Sequence, residues 1–265
     1  MPFLEQFLKQ GSRLVEPFAG SGTVALNASL HCSNFQSFLL ADINHDLINV
    51  YKQLAQHDEQ FISDCEALYA AVCNTSDFYY TVREEFNSTK DDYRKACLFV
   101  YMNRHGYNGV CRYNASGGYN VPYGRYKHTY FPGAEMREFA KMLKRCELVV
   151  ADFTDIIKRA GAGDVLYCDP PYVALSATAT FTSYAKGGFG AASQLKLVEE
   201  ARLAAQRGAV VVISNHDTPE SRELYADATQ LHSIMVQRNV SGTKGTRVKA
   251  PELVAIYQKV PEREA

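Results

Sequence analysis

Short apolar runs alternating with stretches of helical periodicity outline the chain. Arg13-Leu14-Val15-Glu16-Pro17 reads as a buried strand stopped by a proline, and a helix follows over Val24–Leu30. Phe35 to Ala41 reads as a second strand ending at Asp42, with an amphipathic helix over Ile43–Gln56 behind it. Strand, helix, strand, helix in that order predicts a parallel sheet. From Glu59 to about Arg104 apolar positions recur at helical spacing and no strand is visible. From His105 to Gly133 periodicity is lost in a stretch rich in Gly, Asn, Tyr and Pro. Such a long loop inside a compact domain is functional or disordered, and its aromatic content argues against disorder. Sheet pattern resumes at Leu148-Val149-Val150, at Val165–Cys168 and at Ala209–Ser214. A helix over Ala192–Arg207, stopped by Gly208, lies between the last two. Ser233–Gln237 and Leu253–Gln258 read as a terminal antiparallel pair. The expected fold is α/β: a doubly wound domain from residues 1–55 and 146–265, interrupted by a helical and loop insert over 56–145. Thr178–Ala192, rich in Gly and Ala, is expected to be mobile.

Two places in this outline carry chemistry. Gly20-Ser21-Gly22 sits between a strand and a helix, where glycines let a ligand approach the backbone and a helix N-terminus offers N–H groups. Asp42 follows at the end of the next strand, where dinucleotide sites place an acid against ribose hydroxyls. The third glycine of the dinucleotide pattern is missing, and no basic residue stands by for a pyrophosphate. A nucleoside without phosphates fits better, and S-adenosylmethionine is such a ligand. The second place is Asp169-Pro170-Pro171-Tyr172, directly after the apolar run Val165–Cys168. Proline cannot continue a ladder and holds the residue before it extended. The product is a stiff corner with a carboxylate acceptor, an unpaired carbonyl and a flat ring, suited to a planar heterocycle bearing an exocyclic amine.

Composition removes several alternatives. The seven cysteines are scattered without a Cys-x-x-Cys pair, which reads as reduced thiols in a cytoplasmic protein. No apolar run is long enough for a membrane span, and the seven histidines show no metal-ligand spacing. Neither a membrane nor a metal is expected as a partner, and the chain is expected to be a monomer. Net charge is −1, but its distribution is uneven. Between Asp92 and Glu135 there is no acid, while Arg94, Lys95, Arg104, Arg112, Arg125 and Lys127 lie there with eight of the seventeen tyrosines. A second acid-free window, Ala228–Pro251, carries Arg238, Lys244, Arg247 and Lys249. Two local basic surfaces in a neutral chain suggest a polyanion docked on one face. Arg238–Lys249 reads equally as a contact to that polyanion's backbone or as a solvated hairpin. Cys168, inside an apolar strand, reads as a structural thiol rather than a nucleophile. Asn215-His216-Asp217 reads as a loop at a strand's carboxyl end, near the site.

Val15–Gly22, Ala41-Asp42-Ile43-Asn44 and Asp169–Tyr172, in that order, resemble the DNA adenine-N6 methyltransferases of the Dam type. Gly106-Tyr107-Asn108-Gly109, Cys111-Arg112-Tyr113-Asn114, Leu175–Thr178 and Ile213–Asp217 strengthen the likeness, which covers about residues 12–258. The resemblance implies a Rossmann-like catalytic domain, S-adenosylmethionine as donor, adenine in GATC as target, and a double-stranded DNA partner read by the insert. It implies Phe18, Gly20, Ser21, Gly22, Asp42, Ile43, Asp152, Phe153 and Asp169 around the cofactor. It implies Asp169, Pro170, Pro171 and Tyr172 as the catalytic corner. It further implies Arg112 on a guanine, with Val110, Pro122 and Tyr126 at other base-reading positions. Arg83, Asn114, Asn120 and Arg125 match phosphate contacts, and Tyr107 and Asn108 match residues that prop the gap left by a displaced base. The family's usual opening segment, Trp-Ala-Gly-Gly-Lys, has no counterpart in a chain without tryptophan. That difference leads to an expectation of weaker cofactor binding. Alternatives within reach of the same motifs are a catalytically impaired DNA-binding homologue, a cytosine-N4 enzyme and an RNA adenine methylase.

Overall fold

In the computed structural model, which describes residues 6–171, 189–239 and 247–259, the elements follow in chain order. They are β1 (Arg13–Glu16), α1 (Thr23–His31), β2 (Ser37–Asp42), α2 (His45–Ala67), α3 (Ser76–Ser88), α4 (Asp92–His105) and α5 (Gly133–Leu143). After these come β3 (Cys146–Val150), α6 (Phe153–Lys158), β4 (Asp164–Cys168), α7 (Ala191–Gln206), β5 (Val210–His216), α8 (Pro219–Leu224), β6 (Gln230–Asn239) and β7 (Arg247–Tyr257). The backbone separates into two units. Described residues up to Ile43 and from Ala151 onward form the first, and Asn44–Val150 form the second.

The first unit is built on strands in the order β2-β1-β4-β5-β7-β6. β2, β1, β4 and β5 are parallel, and β7 runs antiparallel to both β5 and β6. Val15 of β1 lies opposite Leu39 on one side and Leu166 on the other. The parallel strands read as continuous apolar runs because both faces are covered. Leu14, Val15, Leu39, Leu40, Val165, Leu166, Val211 and Val212 are all buried. Each such side chain contributes about 1.5–3 kcal/mol of transfer free energy. Gly208 ends the α7 segment at φ 97°, and a Cβ there would meet the Ala162 Cβ at 3.2 Å, so both conformation and space select glycine. Beside it, Arg207 donates to the carbonyls of Ala160 and Ile157 at 2.8 and 2.7 Å, tying down the end of α6.

Chain direction decides where a ligand can sit. From β1 the chain moves to β2 on one side, and it later returns to β4 on the other. The order therefore reverses between β1 and β4, and open α/β sheets bind ligands in the crevice outside the carboxyl ends at such a switch.

The second unit is helical. α2 was expected to end at Gln56, but it runs to Ala67 with a break at Asp58, whose φ and ψ are 40° and −113°. Lys144 pairs with the Asp58 carboxylate at 2.8 Å. α2 packs against α4, α5 and β3, all within the unit that spans Asn44–Val150. Asp46 is buried at its start, bound to Lys95 Nζ at 3.1 Å and accepting from the Tyr113 hydroxyl at 2.7 Å. Two half-buried partners for one buried carboxylate offset the cost of an isolated charge.

One expectation is corrected. Asn215 and His216 are not loop residues but the last residues of β5, opposite Leu253 and Glu252 of β7. The antiparallel partner extends the strand past the point where its apolar run stops. Tyr172, Leu175–Thr178, most of the expected mobile stretch and residues 240–246 of the second basic window lie outside the described residues.

Candidate active site

At the carboxyl end of β1 the chain turns through Phe18-Ala19-Gly20-Ser21-Gly22. Ala19 N–H donates to the Ala41 carbonyl at 2.8 Å and Gly20 N–H donates to Asp42 Oδ2 at 3.1 Å. These two bonds tie the turn to the end of β2. Gly20 and Gly22 adopt φ of 46° and 65°, the left-handed region that costs other residues about 1–2 kcal/mol. A Cβ on Gly20 would meet nothing nearer than the Phe18 carbonyl oxygen at 4.0 Å, so the space beside it is open. The Asp42 carbonyl accepts from Ala151 N–H at 3.2 Å, which brings the next two residues to the same place. Asp152 caps α6 through Thr154 N–H at 2.9 Å. The Phe153 ring stacks on Phe18, centroids 5.2 Å apart and planes 24° apart. Phe189, which the sequence did not single out, sets its edge against both rings at 5.5 Å. Ser21 shares a hydroxyl bond with Thr23 at 2.7 Å, and Ile43 is exposed.

β4 supplies the other half. Asp169 leaves the strand exposed, and its Oδ1 accepts from Ser214 Oγ at 3.2 Å. Ser214 is itself bonded by the Tyr167 hydroxyl at 3.2 Å. Pro170 is buried and Pro171 half-buried. Glu16, at the end of β1, is 3% exposed, and its Oε1 has no hydrogen-bond partner among the described residues. Burial pushes its carboxyl up to about 8, helped by the Asp169 charge and opposed by a bond from the Ala25 backbone. The corner therefore holds a buried acid that keeps its proton, next to Asp169. Cys168 is buried, and burial pushes its thiol far above the ordinary range, which removes it as a nucleophile.

In the second unit, the segment from Gly106 to Tyr130 folds back on itself through bridges between Gly106 and Tyr123 and between Tyr113 and Tyr119. Arg112 Nε donates to Asn120 Oδ1 at 2.8 Å and its Nη2 to the Asn120 carbonyl at 3.2 Å. Tyr107 N–H donates to the Pro122 carbonyl at 2.8 Å. The Tyr126 hydroxyl accepts from Asn108 N–H at 2.8 Å, bracing a residue held at φ 53°. Arg83, from α3, donates to the Val121 carbonyl at 3.1 Å and lies 4.6 Å over the Tyr80 ring. Asn114 accepts from Ser116 and Gly118 N–H at 3.1 and 2.8 Å, forming its own turn. The Tyr119 hydroxyl donates to the Val110 carbonyl at 3.1 Å, and Arg125 is exposed at φ 56°. Beneath the segment lies buried His105, whose Nδ1 meets the Tyr101 carbonyl at 2.9 Å and whose Nε2 meets Thr129 Oγ1 at 2.8 Å. All ten residues singled out for a nucleic acid thus fall on one folded segment and the helix that braces it.

A glycine turn bonded to Asp42 thus follows β1, and an Asp-Pro-Pro corner follows its neighbour β4. Residues 1–240 match the family model of the D12 class N6 adenine-specific DNA methyltransferases. The chain belongs to this family. Over 255 residues it is 43% identical to the DNA adenine methylase of Escherichia coli strain K12, covering 96% of this chain and 90% of that one. The Serratia marcescens DNA adenine methylase is 43% identical over 256 residues, covering 96% and 93%. That of Vibrio cholerae strain N16961 is 41% identical, covering 96% and 90%. Among solved structures, the rRNA methyltransferase aviRa from Streptomyces viridochromogenes aligns with 96% of this chain and 82% of its own at a TM-score of 0.42 and 13% identity.

As a D12 methyltransferase, the chain modifies adenine in DNA at the expense of a methyl donor. Sequence reasoning located the glycine turn, Asp42 and the corner, because each is a contiguous motif. It missed Phe189, Ser214 as the partner of Asp169, and the burial of Glu16. These are contacts between segments far apart in the chain, and only the Ser-Asn-His-Asp run near β5 hinted at one of them. Among the described residues, no group of three or more His, Cys, Asp or Glu could hold a metal ion, and no helix is long and apolar enough to cross a membrane.

Proposed function

We propose that this protein transfers a methyl group from S-adenosylmethionine to N6 of an adenine in GATC, on a base turned out of the DNA duplex. The observation that supports it most is the pairing of two motifs across one switch point: Gly20–Gly22 with Asp42 after β1, and Asp169-Pro170-Pro171 after β4. The donor site fits S-adenosylmethionine. Asp42 offers an acceptor for ribose hydroxyls, Phe18 and Phe153 offer an aromatic wall for adenine, and the open space at Gly20 admits a nucleoside. When bound, S-adenosylmethionine supplies an electrophilic methyl group on a sulfonium.

The chain's own residues handle the acceptor. Adenine N6 is a poor nucleophile because its lone pair is delocalised into the ring. Asp169 and the Pro170 carbonyl each accept one N6–H bond, which favours a pyramidal nitrogen with its lone pair directed at the methyl group. Catalysis then rests mainly on positioning, without a covalent enzyme intermediate. Tyr172 supplies a stacking surface for the extruded base, a contact worth about 1–3 kcal/mol. A base buried in the helix stack cannot reach such a corner, so extrusion is required. In the second unit, Arg112 reads guanine, Val110, Pro122 and Tyr126 meet other base edges, and Tyr107 and Asn108 prop the gap. Arg83, Asn114 and Arg125 lie along the phosphates, and Asn120 holds the Arg112 guanidinium. Residues 1–55 and 146–265 serve catalysis and 56–145 serve target recognition, in a cytoplasmic monomer.

Plasmid incubated with protein and S-adenosylmethionine tests the target. Protection from a GATC nuclease blocked by adenine methylation is expected. Equal methyl incorporation into duplexes with and without GATC would contradict the target. A protein that binds duplex and donor but transfers nothing would mark an impaired homologue.

A further inference from the structure

Gln194 is a polar side chain in an apolar setting. It lies in the first turn of α7, 4% exposed, close in sequence to the buried Leu197 and Val198. An amide left unpaired at that depth costs about 1–3 kcal/mol. Both of its ends are used. Nε2 donates to the Pro171 carbonyl at 3.0 Å, and Oε1 accepts from the Tyr225 hydroxyl at 3.1 Å. Tyr225, 1% exposed, in turn accepts from Asn215 Nδ2 at 3.0 Å. Asn215 is fully buried at the end of β5, and its Oδ1 accepts from His216 N–H at 2.8 Å. Burial pushes the Tyr225 hydroxyl up to about 12, so it stays a donor across the working range of pH. The bonds all point one way, from Asn215 through Tyr225 and Gln194 to Pro171, and bonds in such a chain polarise one another.

The end of this relay matters because of what the corner lacks. β4 stops at Cys168, and neither Pro170 nor Pro171 has an N–H for a ladder bond. The Pro170 carbonyl, assigned above to the acceptor amine, lies in the peptide plane before Pro171. The Pro171 carbonyl lies in the plane after it. Between the two planes stand φ of Pro171, fixed by its ring, and ψ of Pro171, the one soft torsion. A bond from Gln194 to the Pro171 carbonyl fixes that torsion.

We infer that Gln194 is a positioning residue for methyl transfer: with Tyr225 and Asn215 it clamps the Pro171 carbonyl and so aims the Pro170 carbonyl at the acceptor amine. This rests on the adenine-methylation reading above. The relay also gives a role to Asn215, which that reading leaves without one.

Single-turnover methylation of a GATC duplex, donor affinity by calorimetry and thermal unfolding, measured on the full chain, test it together. Gln194→Leu keeps the volume and removes the donor. A rate about 10- to 100-fold lower is expected, as for a reacting group displaced by a fraction of an ångström, with donor affinity unchanged within about threefold. Gln194→Glu carries a second signature, because a protonated carboxyl presents the same donor and acceptor as the amide. Its rate should approach wild type at low pH and fall as pH rises, relative to wild type. Tyr225→Phe should lower the rate in the same direction and serves as the test if Gln194→Leu does not fold. Folded variants with wild-type rates at every pH would overturn the proposal. So would rate and donor affinity falling in parallel with thermal stability. A wild-type protein that transfers no methyl group to DNA would instead overturn the functional reading beneath it.

Discussion

Glu16 keeps a carboxyl group where water does not reach, with one oxygen unpartnered among the described residues and the Asp169 charge nearby. In the folded protein it holds its proton up to about pH 8, whereas an unburied glutamate ionises near 4.5. Between those values the folded state binds more protons than the unfolded state, so this group lowers stability as pH rises through that window. Below it the group contributes nothing, and above it the full penalty is present. Glu16→Gln, which removes the ionisation and keeps the shape, should therefore gain on wild type by more at pH 8 than at pH 5. The difference should be on the order of a few kcal/mol in urea unfolding. A gain that is equal at the two pH values would contradict the buried neutral acid. Gly20, Asp42 and Asp169 were legible in the sequence because turn chemistry and strand ends mark them locally. The state of Glu16 was not, because it depends on how α1 and β4 cover it.

The long parallel strands and the helices α1 and α7 were legible as elements, since apolar runs and helical periodicity extend over enough residues to show. The six-residue helices α6 and α8 were not. Their signals are caps alone: Asp152 on Thr154, and Thr218 with Ser221 and Pro219 in a capping box. The segment from Gly106 to Tyr130 shows the same limit from the other side. Its proposed DNA-reading role rests on Arg and Tyr content, while its fold comes from side chains gripping backbone carbonyls, which leaves no period. Asn120 illustrates the consequence. Sequence resemblance gives it a phosphate, but its side chain holds the Arg112 guanidinium. Arg112→Ala should cost about 1–3 kcal/mol at a single base pair, read from transfer rates on duplexes with one substituted position at a time. Asn120→Ala should lose discrimination at that same base pair, by a smaller amount. A uniform loss on every duplex for Asn120→Ala would return it to a phosphate role.

At the scale of the whole molecule, a net charge of −1 conceals a basic, tyrosine-rich insert and a sheet with its motifs at one topological switch. The change of periodicity near residue 56 falls inside α2, not at one of its ends. α2 looks like part of the sheet domain by order and belongs to the second unit by packing against α4 and α5. The central claim is that the Asp169-Pro170-Pro171 corner delivers a methyl group to adenine N6. Its most direct test is digestion of a methylated GATC duplex to nucleosides and identification of the product, with wild type and Asp169→Ala in parallel. N6-methyladenine from wild type is expected, with a rate about 100-fold or more lower in a folded Asp169→Ala variant. N4-methylcytosine as the product, or undiminished transfer by Asp169→Ala, would contradict it.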